Sequence, residues 1–259
     1  MSTHVIAYSG SINSASLTNL PFIQDSVLSP AGTTGLIVPG DFNALHAVAA
    51  LGSDLTRAAL KAPSLDVKRV NLEVYPHERG ADIFTLTNPK LMRPIGDMVF
   101  DPGEVLTAQA AEDNAGADVE TVVAWLKKPG ALPAIPSGDV RMVRWAGTTT
   151  LVASSWTPVT LTLDQELPAG EYALVGIFAN SATGIACRAI IPGQQNRPGV
   201  PVIAAASEAA SRFSNAEFLK PFIGYEMGRF SNRQVPQLEF LALAADTAQT
   251  GLLFIVKVG

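Results

Sequence analysis

One phrase is used twice along the chain, and each time it closes a half. The first copy runs Glu104-Val-Leu-Thr-Ala-Gln-Ala-Ala111, passes a polar turn from Glu112 to Asp118, and continues from Val119 to Leu126. The second runs Glu239-Phe-Leu-Ala-Leu-Ala-Ala245, turns through Asp246 to Gly251, and continues from Leu252 to Val258. Two β-rich runs joined by a few small and polar residues read as a hairpin. After the first copy comes Lys127-Lys-Pro-Gly-Ala-Leu-Pro-Ala-Ile-Pro-Ser-Gly138, the most linker-like stretch of the chain. A second echo sets Leu36-Ile-Val-Pro-Gly-Asp-Phe-Asn43 against Ala189-Ile-Ile-Pro-Gly-Gln-Gln-Asn196, in the same order in both halves. Apolar-Pro-Gly is cheap on its own, because any strand followed by a turn can produce it. Two ordered echoes around a linker predict an internal duplication, with domains at 1–128 and 139–259 and a linker at 129–138.

The 259 residues suit two domains of ordinary size, each able to bury a core without staples. A single cysteine, Cys187, excludes an internal disulfide and a multi-cysteine metal site, and its apolar surroundings (Ile185 to Ile191) predict a buried structural thiol. Charged residues make up 16% of the chain and apolar ones 47%, with a net charge of −5. So little charge fits a protein that hides much of its surface against neighbours, although a large core explains it too. No basic arm or Lys/Arg run is present, so direct nucleic-acid binding lacks its electrostatic footprint. No apolar run reaches membrane-spanning length and the first residues do not read as a signal peptide, which predicts synthesis and folding in a cytoplasm.

In chain order, His4–Tyr8, Phe22–Leu28 and Thr34–Val38 read as strands punctuated by Pro30, Gly32, Pro39 and Gly40. Phe42–Leu60 carries Leu45, Val48, Ala49, Leu51, Leu55, Ala58 and Ala59 mostly at helical spacing, and predicts a helix broken or re-capped at Gly52-Ser53-Asp54 and ended by Pro63. Leu65 to Val74 alternates as a half-buried strand, and Ile83–Thr87 is another. The second half gives strands at Val140–Trp145, Thr148–Ala153, Val159–Leu163, Tyr172–Phe178, Ile185–Ile191, Phe222–Met227, Leu238–Leu243 and Leu252–Val258, with an Ala-rich helix at Val202–Phe213. Short strands at regular spacing favour sandwiches over βαβ units. The expected fold is all-β: two tandem eight-stranded jelly-roll sandwiches with short helical insertions.

Chemistry is sparse. His4, His46 and His77 stand apart from one another, without metal-ligand spacing. There is no Gly-x-Ser-x-Gly elbow, phosphate loop or His-Glu-x-x-His. Glu112/Asp113 and Asp97/Asp101 could serve as acid–base or calcium pairs, yet the first lies in a turn where acids favour solvent and the second in a Pro/Gly loop. Trp125, Trp145 and Trp156 could form a ligand platform, with Trp156 the best exposed candidate, but core or interface packing is the favoured reading of them. No catalytic residue, cofactor or metal site is expected, and the chain does not read as an enzyme.

The second half supports a resemblance. Trp156-Thr-Pro-Val-Thr-Leu-Thr-Leu-Asp-Gln-Glu-Leu-Pro-Ala-Gly-Glu-Tyr-Ala-Leu-Val-Gly176, Arg188-Ala-Ile-Ile-Pro-Gly-Gln-Gln-Asn-Arg-Pro-Gly199 and Pro236-Gln-Leu-Glu-Phe-Leu-Ala-Leu-Ala-Ala-Asp-Thr-Ala-Gln249 are similar to segments of double-jelly-roll major capsid proteins of tailless bacteriophages, of the membrane-containing Flavobacterium lake-phage type. The first half joins only through the duplication. The resemblance implies a viral structural protein, assembling as a pseudo-hexameric homotrimer into an icosahedral shell. Its partners would be itself, neighbouring capsomers, a penton protein and an internal lipid membrane, with the virion as its location after synthesis in the bacterial host cytoplasm. The rival readings are a jelly-roll binding module (a spike, receptor or carbohydrate binder), which needs exposed aromatics in a groove, and a cupin-like enzyme, which needs clustered histidines.

Overall fold

The computed structural model describes residues 2–68, 72–85, 89–113, 116–205 and 219–259. The chain forms two compact units: Val5–Phe84 with Asn88–Gly130, here the N-terminal unit, and Met1–His4 with Thr85–Thr87 and Ala131–Gly259, the C-terminal unit. Both are all-β. In chain order the first eleven strands are β1 (Thr3–Ile12), β2 (Thr18–Asn19), β3 (Pro30–Ala31), β4 (Gly35–Ile37), β5 (Ala44–Gly52), β6 (Leu55–Lys61), β7 (Leu72–Glu73), β8 (Glu78–Arg79), β9 (Met98–Val99), β10 (Val105–Glu112) and β11 (Asp118–Lys127). Nine more follow: β12 (Val140–Gly147), β13 (Trp156–Val159), β14 (Thr162–Leu163), β15 (Glu171–Asn180), β16 (Gly184–Ile190), β17 (Gly199–Pro201), β18 (Gly228–Ser231), β19 (Gln237–Ala242) and β20 (Gln249–Lys257).

They make four sheets. The N-terminal pair has the orders β1-β11-β5-β8, with β9 on β5, and β3-β4-β10-β6-β7, with β2 on β10. The C-terminal pair has β14-β12-β20-β15-β18 and β13-β19-β16-β17. Setting aside β2, β3, β9 and β14, each unit keeps eight strands among the described residues, and numbering these one to eight gives 1-8-3-6 in one sheet and 2-7-4-5 in the other, both times. The units differ at the outer edge, where β8 runs parallel to β5 while β18 runs antiparallel to β15.

This arrangement corrects the closing hairpins. β10 pairs with β6 and β11 with β5, so the connection between β10 and β11 crosses from one sheet to the other. The connection between β19 and β20 does the same. A short polar turn can close a hairpin or bridge sheets about 10 Å apart, and local sequence does not separate the two. The first echo falls on corresponding strands of the two units. The second does not, because Pro39 follows the second strand of its eight and Pro192 follows the fourth.

The helix expected over Phe42–Leu60 is also corrected: the segment is β5 and β6, with Ser53-Asp54 as the turn between sheets. All nine residues of β5 are buried, so it lacks the alternation that marks a strand with one wet face. A continuous apolar run cannot be told from a buried helix by its period, and three alanines among the first six residues tilted the reading towards helix. Pro63 begins a helix instead of ending one. The short α1 (Pro63–Val67) carries it at the first turn, where its missing N–H costs nothing, and replaces the start of the strand expected over Leu65–Val74. Residues 69–71 of that expected strand lie outside the described residues, as do 86–87 of Ile83–Thr87 and 206–213 of the Ala-rich helix, whose residues 202–205 are not helical. Phe22–Leu28 is irregular apart from a bridge at Phe22, Thr148–Ala153 apart from a bridge at Ala153, and in place of the strand expected over Phe222–Met227 a 3-10 turn at Lys220–Phe222 runs into an irregular segment over 223–227.

In each unit an aromatic from the first strand ties its sheet to the seventh strand opposite. The buried Tyr8 hydroxyl on β1 donates to the Leu106 carbonyl on β10 at 2.8 Å. Trp145 on β12 meets Phe240 on β19 edge-on, with ring centroids 6.0 Å apart. Next to Trp145, β20 must approach β15 closely: a Cβ on Gly251 would overlap the Phe178 carbonyl and lie 2.7 Å from the Trp145 ring. Gly251→Val is therefore expected to lower stability by about 1–3 kcal/mol, the usual cost of overpacking, measured by urea unfolding. An unchanged midpoint would show that β15 and β20 do not approach this closely.

Candidate functional site

Within each unit the connection from third to fourth strand meets the connection from seventh to eighth. Their chemistry differs sharply. In the C-terminal unit the corner is closed by Asp246, which accepts from the Ser181 hydroxyl at 2.5 Å and from the Ala182 and Ala248 amides at 2.9 and 3.1 Å. Burial works to raise the Asp246 pKa, but these hydrogen bonds outweigh it and hold the carboxyl below its ordinary value. Thr183 adds a hydroxyl bond to the Ala244 carbonyl at 2.8 Å. This corner supplies its own donors.

The N-terminal corner is crowded with carboxyls instead. The Asp113 amide donates to the Asp54 carbonyl at 3.2 Å, which brings the β5–β6 turn against the β10–β11 connection. Glu112, the last residue of β10, accepts the Asp118 amide at 3.3 Å through one carboxyl oxygen, and the other oxygen has no partner among the described residues. Glu120, on β11, is fully buried, and neither carboxyl oxygen has a partner among the described residues. Its carboxyl lies over Gly52, where a Cβ would overlap it. Asp82 accepts the Ser53 hydroxyl at 2.6 Å, and Arg79 pairs with Asp113 near the surface. Burial first, then the charges of Glu112, Asp82, Asp118 and Asp54, push the Glu120 pKa up to about 8. Asp54 is raised mainly by a side-chain hydrogen bond with Asp118, with burial and the Asp118 and Asp113 charges adding and Arg79 opposing.

Sequence reading missed most of this corner. It placed Glu112 with Asp113 in a solvated turn, whereas Glu112 is buried at the end of its strand. Asp54, Asp82 and Glu120 are far apart in sequence and come together only because the sheet order brings their turns to one end. Asp97 and Asp101 do not form a site. Asp97 accepts Lys127 Nζ at 2.5 Å and the Gly130 amide at 2.6 Å, bonds that lower its pKa, whereas Glu104 accepts the Asp101 amide at 2.8 Å. Among the described residues no three His, Cys, Asp or Glu side chains are placed to hold a metal ion.

His4 is buried, with its Nδ1 3.3 Å from the Arg197 amide; His46 is buried as well, and His77 sits edge-on to Tyr75. Burial, with the charge of Glu239 adding, raises the Cys187 thiol well above its ordinary pKa. Trp156 is not the exposed aromatic expected. It begins β13, is 9% exposed, and has the Arg188 guanidinium 3.9 Å above its ring. Trp125 and Trp145 are buried too. An open groove of about 460 Å³ runs between Leu163–Leu167 and Asn232 with Val235, and no aromatic side chain lines it.

No family model matches the chain, and no curated protein matches it. Among solved structures it is similar to the crystal structure of the major capsid protein P2 from bacteriophage PM2, at 10% identity and a TM-score of 0.23, over 99% of this chain and 98% of that one.

The buried Arg188–Glu239 pair, Nε to Oε2 at 2.8 Å, joins β16 to β19 beneath Trp156. Glu239→Ala is expected to cost about 3–5 kcal/mol, because Arg188 keeps its buried charge without that carboxylate. Arg188→Met combined with Glu239→Leu should recover most of the loss in denaturant unfolding. A double variant as unstable as the single would contradict this account of the pair.

Proposed function

We propose that this chain is the major capsid subunit of a tailless bacteriophage, made of two tandem eight-stranded jelly rolls. The observation that carries the reading is the strand order, 1-8-3-6 facing 2-7-4-5 in each unit. It is the order produced when antiparallel pairs are wrapped so that the first strand lies beside the eighth and the second beside the seventh, the jelly-roll solution to hiding sheet edges. On this reading 1–128 and 139–259 are duplicated rolls and 129–138 is their linker. A jelly roll alone does not assign a function. Two in one chain, with the capsid-like segments of the second half, support a shell subunit.

Three such chains would present six similar rolls, which is the logic of a pseudo-hexameric homotrimer tiling an icosahedral shell. The low charge fits extensive burial between copies, as do Val140 and Met142 on β12, 51% and 62% exposed and pointing to the same side of their strand. Neighbouring capsomers, a penton protein and an underlying lipid membrane would be its partners in the virion. The rival binding module would need exposed aromatics in a groove, and burial of all three tryptophans removes its best candidates.

Light scattering on the purified protein tests the proposal. The expected mass is three times the 27.2 kDa subunit, or that of closed shells. A species that stays monomeric at high concentration would overturn the reading, and a glycan-binding screen would then be the next measurement.

A further inference from the structure

The N-terminal corner buries one carboxyl among several others. Glu120 is wholly buried, its two oxygens have no partner among the described residues, and the charged groups acting on it are acidic: Glu112, Asp82, Asp118 and Asp54. A lone buried carboxylate is costly enough that the neutral form replaces it. The Asp118 side chain beside Asp54 raises the Asp54 carboxyl above its ordinary range. The cation acting on Asp54 is Arg79, whose guanidinium is engaged with Asp113 at the surface. Glu78, beside Arg79 on β8, accepts the Lys90 amide at 2.6 Å.

The surrounding structure is built to respond. β8 is held to β5 by a parallel pairing of just two residues, Leu51 with Glu78 and Gly52 with Arg79. The adjoining segment adds a bridge from Ala81 to Gly52 and the Gly80 amide bond to the Ser53 carbonyl at 2.8 Å. Asp82 therefore lies on a lightly held edge, directly after these contacts. The matching corner of the other unit has Asp246 fully supplied with donors, so the acidic packing is not a requirement of the fold.

We propose that this corner is a pH-operated latch, closed while Glu120 carries a proton and opened when it loses it. The proposal concerns the subunit itself and goes beyond the capsid reading, because it holds or fails whatever the protein assembles into. Between the ordinary glutamate range and about pH 8 the folded chain keeps a proton on Glu120 that the unfolded chain has released. The stability this contributes is complete at acid pH and is lost as pH rises through that window. Linkage to one proton changes the open-to-closed ratio by at most tenfold per pH unit. Opening separates residues 78–82 from the β5–β6 turn.

The test is hydrogen–deuterium exchange on the full-length protein at pH 6 and pH 9, corrected for intrinsic rates, with thermal unfolding across the same range. Peptides covering residues 50–56, 78–82 and 116–121 should lose protection at pH 9 by tenfold or more, while those covering 181–184 and 243–249 keep theirs. Glu120→Gln, neutral at every pH, should flatten the decline of Tm on the alkaline side and retain corner protection. Should that variant not fold, the wild-type exchange pattern decides alone. Equal loss at both corners, no change at either, or an unaltered alkaline decline in Glu120→Gln would overturn the proposal.

Discussion

Both units rest on one constraint: of the eight strands numbered in each, consecutive ones are driven into opposite sheets, except the fourth and fifth. β5 and β6, β10 and β11, β15 and β16, and β19 and β20 are each joined by a short connection, yet none of these pairs shares a sheet. A strand such as β5, with all nine residues buried, cannot lie at a wet sheet surface. Separating neighbours across the sandwich gives each apolar strand a facing sheet to pack on. Tyr8 against the Leu106 carbonyl and Trp145 against Phe240 are the side-chain expressions of that packing, on corresponding strands of the two units.

The same constraint produces the corners. Crossing between sheets brings two turns together at one end of each unit, where backbone groups lose their ladder partners and need others. Asp246 meets that need in the C-terminal unit by accepting from one hydroxyl and several amides. In the N-terminal unit the corresponding place gathers Asp54, Asp82, Glu112, Asp113, Asp118 and Glu120 around a single arginine. Two corners of like topology thus respond to pH in opposite directions. Asp246 stabilises while ionised and loses that contribution on the acid side, whereas Glu120 stabilises while protonated and loses it on the alkaline side.

Much of the strand inventory was legible because turns and apolar runs are local. β12, β15, β16, β19 and β20 fall where Val140, Tyr172, Ile185, Leu238 and Leu252 announced them. Pairing was not legible, since Glu112–Asp118 reads the same whether its flanking strands bond to each other or to different partners. The Ala44–Gly52 strand is hidden by its missing alternation, and Pro63 reads as a stop although it starts a helix. The acidic corner was hidden for a related reason: Glu120 in Asp-Val-Glu-Thr looks like the outward residue of a half-wet strand, and only the burial of both faces of β11 turns it inward. Gly52, needed because any side chain there would occupy the space of the Glu120 carboxyl, was the one local trace of it.

The central claim is that two rolls of one topology make this chain a shell-forming subunit. Electron cryo-microscopy of the purified protein, carried to a resolution that traces strands, tests it most directly. The account predicts three-chain particles with a six-lobed outline, each lobe a sandwich ordered 1-8-3-6 over 2-7-4-5. A single chain without a repeating assembly, or lobes whose seventh and eighth strands pair as a hairpin, would contradict it.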